Sequence, residues 1–190
     1  MAELVDRAVE RLRVARVRLD PGLSDTEVSR VQEQLEFEFG PEHRELLQSV
    51  LPTGEAAWPN WRSGSLDDLR SRLNWPVDGL LFDVHDNGFW PSSWGQRPDT
   101  REDRESRARD QLAHVPRLIP LYSHRYLPAD PAHRPSPIFS VYQADVIYYG
   151  DNLVDYIAHE FKVPPLEPSS NRARVPFWSD LAEGAESRDL

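Results

Sequence analysis

Between Glu3 and Leu19 the apolar residues Leu4, Val5, Ala8, Val9, Leu12 and Ala15 recur every three or four positions, which gives an amphipathic helix one continuous apolar face. Pro21-Gly22 is expected to end it. Ser24 followed by Glu27 fits a capping box, and Val28, Val31 and Leu35 then line one face of a second helix. Pro41 suits the first turn of a third, GPEHRELLQSVL, with Leu46, Leu47 and Val50 toward the core and Pro52 to Gly54 closing it. AAWPNWRSGS reads as loop and SLDDLRSRL as a short helix starting near Ser65. NWPVDGLLFDVHDNGFWPSSWGQRP reads as an aromatic-rich loop with brief ordered pieces. Thr100 to Ala113 predicts a charged surface helix opened by Thr100 and Asp103.

After Pro116 the period changes. LIPLY, RYLP, PIFSVY and DVIYY are short β-branched and aromatic runs cut by Pro, Asp and Gly, and they predict antiparallel strands. Alternation there puts Val146 and Tyr148 on one face and Ile147 and Tyr149 on the other, so the adjacent tyrosines serve different sides and one of them belongs to the core. Asn152 or Asp151 then caps a helix carrying Leu153, Tyr156, Ile157 and Phe161. Val163 to Pro176 has the composition of a linker, after which Phe177, Trp178 and Leu181 offer an apolar anchor and Glu183 to Leu190 a frayed end. Helices followed by antiparallel strands predict an α+β fold. The organisation expected is an N-terminal helix at 1–21, an α+β domain at 22–162, and a linker with a docked or flexible tail at 163–190.

Composition narrows the chemistry. A chain of 190 residues, 39% hydrophobic and 28% charged, is expected to fold around a real core, and its 17 prolines predict long irregular connections. No run reaches the roughly 20 apolar residues of a membrane span, and the N-terminus has no apolar signal core, so a cytoplasmic protein without a membrane partner is expected. The absence of cysteine excludes disulfides, thiolate catalysis and cysteine-ligated metals. With 22 basic against 32 acidic residues the formal charge is -10, which argues against a phosphate-binding surface and so against direct nucleic-acid binding.

Six histidines, His43, His85, His114, His124, His133 and His159, are the candidates for proton or metal work, and none belongs to an HExxH pair. His124, Asp130 and His133 form the nearest ligand-like constellation, with spacing looser than zinc sites show. Asp83, His85 and Asp86 form a second polar knot, but neither GxSxG nor a glycine-rich phosphate loop accompanies it. A turn at Asp86-Asn87-Gly88, with side chains bonding backbone amides, explains that knot more simply. No cofactor, metal or catalytic residue is therefore assigned. What remains is aromatic: Trp58, Trp61, Trp75, Phe89, Trp90 and Trp94, then Tyr122, Tyr126, Tyr142, Tyr148, Tyr149 and Tyr156. Such rings fill cores and anchor interfaces alike, and Trp90 with Trp94 is the pair expected to be exposed.

Three blocks carry a family resemblance: GLSDTEVSRVQEQLEFEFGPEHRELLQSVLPTG, NWPVDGLLFDVHDNGFWPSSWGQRP, and LIPLYSHRYLPADP with SPIFSVYQADVIYYGDNLVDYIAHEF. In their order the chain resembles the SUKH superfamily, which groups Smi/Knr-type fungal cell-wall assembly regulators with bacterial toxin-immunity proteins. The long N-terminal helix and the charged helix at Thr100 to Ala113 depart from that pattern. The resemblance implies an α+β domain, a curved sheet flanked by helices, that binds other proteins and has no catalytic residues. It also implies an immunity role, in which a toxin is neutralised by direct binding.

The reading that follows is a non-enzymatic protein-binding domain with a protein partner, such as a cognate toxin. Its expected contacts are Trp90, Trp94, His124, Arg125, Tyr126, Tyr148, Tyr149 and Asp151, on the exposed sheet face and the aromatic loop. Two alternatives stand beside it. One is a small-ligand or metal-dependent hydrolase using His85, His124 and His133 with Asp83 or Asp130. The other is a structural scaffold whose linker and FWSDL segment form a docking peptide.

Overall fold

A computed structural model of the chain describes residues 2–130, 132, 134–164 and 172–186. Helix α1 (Ala2–Val14) ends where Arg16 takes a left-handed conformation, and the Val17 amide turns back to the Leu12 carbonyl. The chain leaves extended, so the residues expected to finish that helix instead form strand β1 (Arg18–Pro21). Helix α2 (Asp25–Leu35) has the expected capping box, with Ser24 Oγ accepting from the Glu27 amide and the Glu27 carboxylate accepting from the Ser24 amide. Helix α3 (Pro41–Ser49) starts at its proline and runs directly into β2 (Val50–Thr53), where a simple helix end was expected. β1 and β2 pair antiparallel as a two-stranded sheet.

Helix α4 (Leu66–Asp86) is the largest difference from expectation. Only its first half reads as helix in sequence, because Pro76 should break it: proline lacks the N–H that would bond the carbonyl four residues earlier, and its ring crowds that carbonyl. The orphaned carbonyl is that of Arg72, and the buried Tyr126 hydroxyl donates to it at 3.1 Å. A side chain from the sheet thus satisfies the group that the proline leaves open, and the helix continues to Asp86.

Beyond α4 a 3-10 turn at Ser92–Trp94 leads to α5 (Arg101–Leu112), which buries Ala108 and Leu112 beneath its charged face. Strands β3 (Leu118–Tyr122), β4 (Arg125–Pro128), β5 (Ile138–Tyr142) and β6 (Asp145–Gly150) form an antiparallel meander in sequence order. Helix α6 (Leu153–Glu160) is capped by Asn152, whose side chain accepts from the Val154 and Asp155 amides, and α7 (Trp178–Glu186) closes the described chain. The whole is one α+β fold with small antiparallel sheets flanked by helices.

The four-stranded sheet is covered on both faces. One face packs Leu121, Leu127 and Ile138 against α1 and α6 through Val5, Ala8, Leu12, Leu153 and Ile157. The other packs Tyr126, Phe139, Val141 and Val146 against α4, α5 and α7 through Leu80, Val84, Leu112 and Trp178. Trp178 is buried and donates its indole N–H to the Pro116 carbonyl at 2.6 Å, so the FWSDL segment serves this chain's own core and is not free as a docking peptide. A third cluster joins α2, α3 and the first turns of α4 around Trp61. No helix among the described residues is long and apolar enough to cross a membrane.

His43 sits inside that third region, edge-on to Phe39 at 5.1 Å and near Trp61 at 6.4 Å, with neither ring nitrogen hydrogen-bonded among the described residues. Burial pushes its pKa from 6.5 down to about 3, so the folded chain holds it neutral. An unfolded chain takes up that proton below about pH 6.5, and the stability tied to a neutral His43 is therefore full above that pH and falls as pH drops toward 3.

Two predictions follow from this packing. Tyr126→Phe is expected to cost about 1–3 kcal/mol in denaturant unfolding, because the part-buried Arg72 carbonyl loses its donor. The same change should cost clearly less on a Pro76→Ala background, which returns an N–H to that carbonyl; equal costs on both backgrounds would rule out the coupling. For His43→Leu, stability relative to the parent should rise by about 2–3 kcal/mol between pH 6.5 and 4.5, read from urea midpoints, and parallel pH curves would refute the neutral histidine.

Candidate functional site

The β3–β4 hairpin (the first) and the β5–β6 hairpin (the second) turn through two-residue loops, Ser123-His124 and Gln143-Ala144, each opening with a residue at positive φ. Helix α4 lies against the second tip at two points. At Gly79 an added Cβ would sit 3.0 Å from the Gln143 Cα, so a hydrogen is what lets helix and hairpin approach. One turn on, the buried Asp83 carboxylate accepts from the Ala144 amide at 2.7 Å and from the Asn87 side chain. Asp83 is thus fixed as a clamp on backbone and side-chain amides. His85 bonds Glu105 on α5 at 3.2 Å, and Asn87-Gly88 forms the turn after the helix.

On either side of the Gly79 contact α4 carries Trp75 and Phe82, exposed at 46% and 48%; Tyr142 on β5 is exposed at 58% and Ile147 on β6 at 41%. Trp75 and Tyr142 lie 6.4 Å apart between ring centroids. Tyr142 pairs with Asp145 and Ser140 pairs with Ile147, which makes Ile147 the diagonal neighbour of Tyr142 on one sheet face. An apolar strip therefore runs from Trp75 on α4 across Tyr142 onto Ile147 of β6, with Phe82 exposed two turns further along the same helix face. Only Val14 among the large exposed hydrophobics of the described chain lies on a different element.

Between Trp75 and the first hairpin tip opens a cleft of about 520 Å³, lined by Asp68, Ser71, Arg72, Ser123, His124 and Tyr126 among others. Its floor is Tyr126, whose hydroxyl pKa burial raises. His124 stands on the rim, with Nδ1 3.1 Å from the Ser123 hydroxyl. Partial burial, then the neighbouring Arg125 charge, lowers its pKa and favours the neutral ring. The arrangement supplies aromatic area, hydroxyls and one imidazole on a concave surface, which suits recognition of a side chain.

The structure gathers the sequence-predicted contacts only in part. His124 lines the cleft, and Tyr126 lies beneath it with its hydroxyl committed to Arg72. Arg125 is buried: its Nε donates to Glu160 at 3.0 Å and Nη1 to Ser140 Oγ at 3.0 Å, while the guanidinium lies 3.7 Å above the Tyr149 ring. Tyr149 stacks in turn on His159 at 4.4 Å. Tyr148 faces the opposite layer beneath Arg172, which also pairs with Asp151 at 3.5 Å, so the two tyrosines do serve different faces. Trp90 is half-buried, with its indole N–H on the Gly95 carbonyl. Trp94, expected as its exposed partner, is 3% exposed and stacks on Phe177 at 6.1 Å, because the C-terminal helix closes over it.

Trp75, Phe82 and Tyr142 were missed as contacts. Trp75 and Phe82 are seven residues apart and share a helix face, a signal hidden while Pro76 assigned that segment to loop. Among the described residues no group of three or more His, Asp or Glu side chains is placed to hold a metal, and His133 lies outside them. No family model, curated protein or solved structure matches the chain.

The buried ion pair predicts a structural cost separable from recognition. Glu160→Ala leaves the Arg125 guanidinium without its carboxylate and is expected to lower stability by about 3–5 kcal/mol. Unfolding within 1 kcal/mol of the parent, allowing roughly for method error, would mean that Ser140 and Tyr149 suffice to hold the charge.

Proposed function

We propose that this chain is a non-enzymatic protein-binding domain whose contact surface is the apolar strip of α4 and the second hairpin, with the cleft at His124 taking an anchor side chain. The observation that carries this reading is the grouping of Trp75, Phe82, Tyr142 and Ile147, all exposed, around one point where helix and hairpin are locked together. Solvent-exposed aromatics on rigid elements are costly to leave wet and are well suited to be interface hot spots, since a ring buries much area for little rotamer entropy. The resemblance to the SUKH superfamily supports the same class of function. In the immunity form of that function the partner is a toxin, neutralised by being bound.

Of the contacts expected from sequence, His124 is retained at the rim. Tyr126 lies beneath the cleft, while Arg125 and Trp94 are buried in the packing of the sheet and of the C-terminal segment. The test uses Trp75→Ser with Tyr142→Ser, changes at exposed positions that should leave stability within about 0.5 kcal/mol. Immobilised parent and variant are compared for proteins retained from the native cell by quantitative mass spectrometry, and the retained partner is then titrated in purified form. The variant should lose that partner, with affinity at least roughly 30-fold weaker if either ring is a hot spot. Identical retained sets and equal affinities would place binding elsewhere or nowhere.

A further inference from the structure

The charges around the apolar strip specify the chemistry of the partner, an inference that rests on the protein-binding reading above. At about 100° per residue Asp68, Ser71, Trp75, Asp78, Phe82 and Asp86 fall on one stripe of α4, with the two rings about 10.5 Å apart along the axis. Carboxylates thus alternate with aromatics. Asp78, Asp86 and, on the hairpin, Asp145 are all exposed, and none has an ion-pair or side-chain hydrogen-bond partner among the described residues.

Nearby cations are already engaged. Arg72 donates Nε to Asp68 at 2.9 Å and its terminal nitrogens to the Ala57 and Ala56 carbonyls at 3.3 and 2.9 Å. Arg97, toward the far end of the helix, donates to the Val84 carbonyl at 3.1 Å. Arg109 and Arg117 share a cleft with Asp78, but Arg109 is held by Glu105 at 2.8 Å and Arg117 by the Glu36 carbonyl, so the strip presents apolar rings beside carboxylates that have no direct partner among the described residues.

We infer that the strip docks a segment of a partner protein that carries arginine or lysine beside apolar anchors. A cation brought between Trp75 and Phe82 meets the Asp78 carboxylate and a ring face together, so charge pairing and cation–π attraction act at one place. Other occupants meet repulsion. A second copy docked isologously would set Asp78, Asp86 and Asp145 near their own counterparts, on a chain whose formal charge is already -10. Nucleic acid and anionic membrane would bring more negative charge to the same carboxylates.

Three labelled peptides test this: a repeat of Arg, Trp and Ala, and the same repeat with Gln or Glu in place of Arg. Each is titrated by fluorescence anisotropy against the full chain, at about 50 mM and about 500 mM salt, since surface charge pairs are screened over that range. The Arg peptide should bind tighter than the Gln peptide, the Glu peptide weakest, and the Arg advantage should shrink at high salt. Asp78→Asn with Asp86→Asn and Asp145→Asn should weaken the Arg peptide about tenfold and leave the Gln peptide unchanged. Nitrogen-15 spectra should show the Trp75 indole resonance shifting on addition of the Arg peptide.

Equal binding of the Arg and Gln peptides, or an unchanged Arg affinity in the triple variant, overturns the inference. If the Gln peptide moves the Trp75 resonance at the same concentrations as the Arg peptide, the surface binds protein but does not select for positive charge. Binding of no peptide overturns the basic-partner inference, while the capture experiment with Trp75→Ser and Tyr142→Ser decides the protein-binding reading independently.

Discussion

The hydrogen bond from the Tyr126 hydroxyl to the Arg72 carbonyl is the constraint on which the arrangement of helix and sheet depends. Pro76 frees that part-buried carbonyl, and a freed carbonyl shielded from water must find a donor or cost up to about as much as a lost hydrogen bond. The donor comes from β4, so the remedy for a local defect in α4 also fixes where the helix lies over the sheet. With that point set, the short approach at Gly79 and the Asp83 clamp on Ala144 follow about two and three turns further along the helix. Helix, hairpin and cleft floor become one rigid piece.

This rigidity explains why polar groups near the site fall into two kinds. Arg125 and Glu160 are enclosed with Ser140 and Tyr149, where breaking one partner strands a charge; their work is to hold the sheet and α6 together. Asp78, Asp86 and Asp145 stand in water and hold nothing in the described chain. Structural charges are thus buried and paired, while the charges available to a partner are exposed and unpaired. Aromatic residues divide along the same line: Trp61, Trp94 and Trp178 are core, whereas Trp75 is left outside.

What the sequence made legible was local and periodic. Ser24 with Glu27, Pro41, Thr100 and Asn152 marked helix starts through chemistry contained within four residues, and alternation in DVIYY separated Tyr148 from Tyr149 correctly. Long-range compensation was not legible. Nothing near Pro76 in the chain announces Tyr126, fifty residues on, so the proline read as a breaker and the face shared by Trp75 and Phe82 disappeared with the helix. Trp94 failed for a related reason, since its cover comes from Phe177 on a segment that composition marks as a tail. Within the expected site, His124 needed no such distant partner to be placed, since a hairpin tip is set on the surface by its own geometry, and Trp90 is held locally by the Gly95 carbonyl.

A rigid contact surface also bears on how the chain can bind. Association costs free energy for every loop and rotamer that must be ordered, and the strip avoids most of that cost because Trp75 and Phe82 project from a helix and Tyr142 from a paired strand. Rings held this way have few rotamers to lose. The unpaired aspartates then act earlier, at encounter, where a fixed negative field around a preformed apolar surface raises the rate for a basic partner more than it deepens the final complex. Selectivity from such a surface comes from charge on approach and from ring packing on contact, and each can be removed without disturbing the Tyr126–Arg72 lock beneath them.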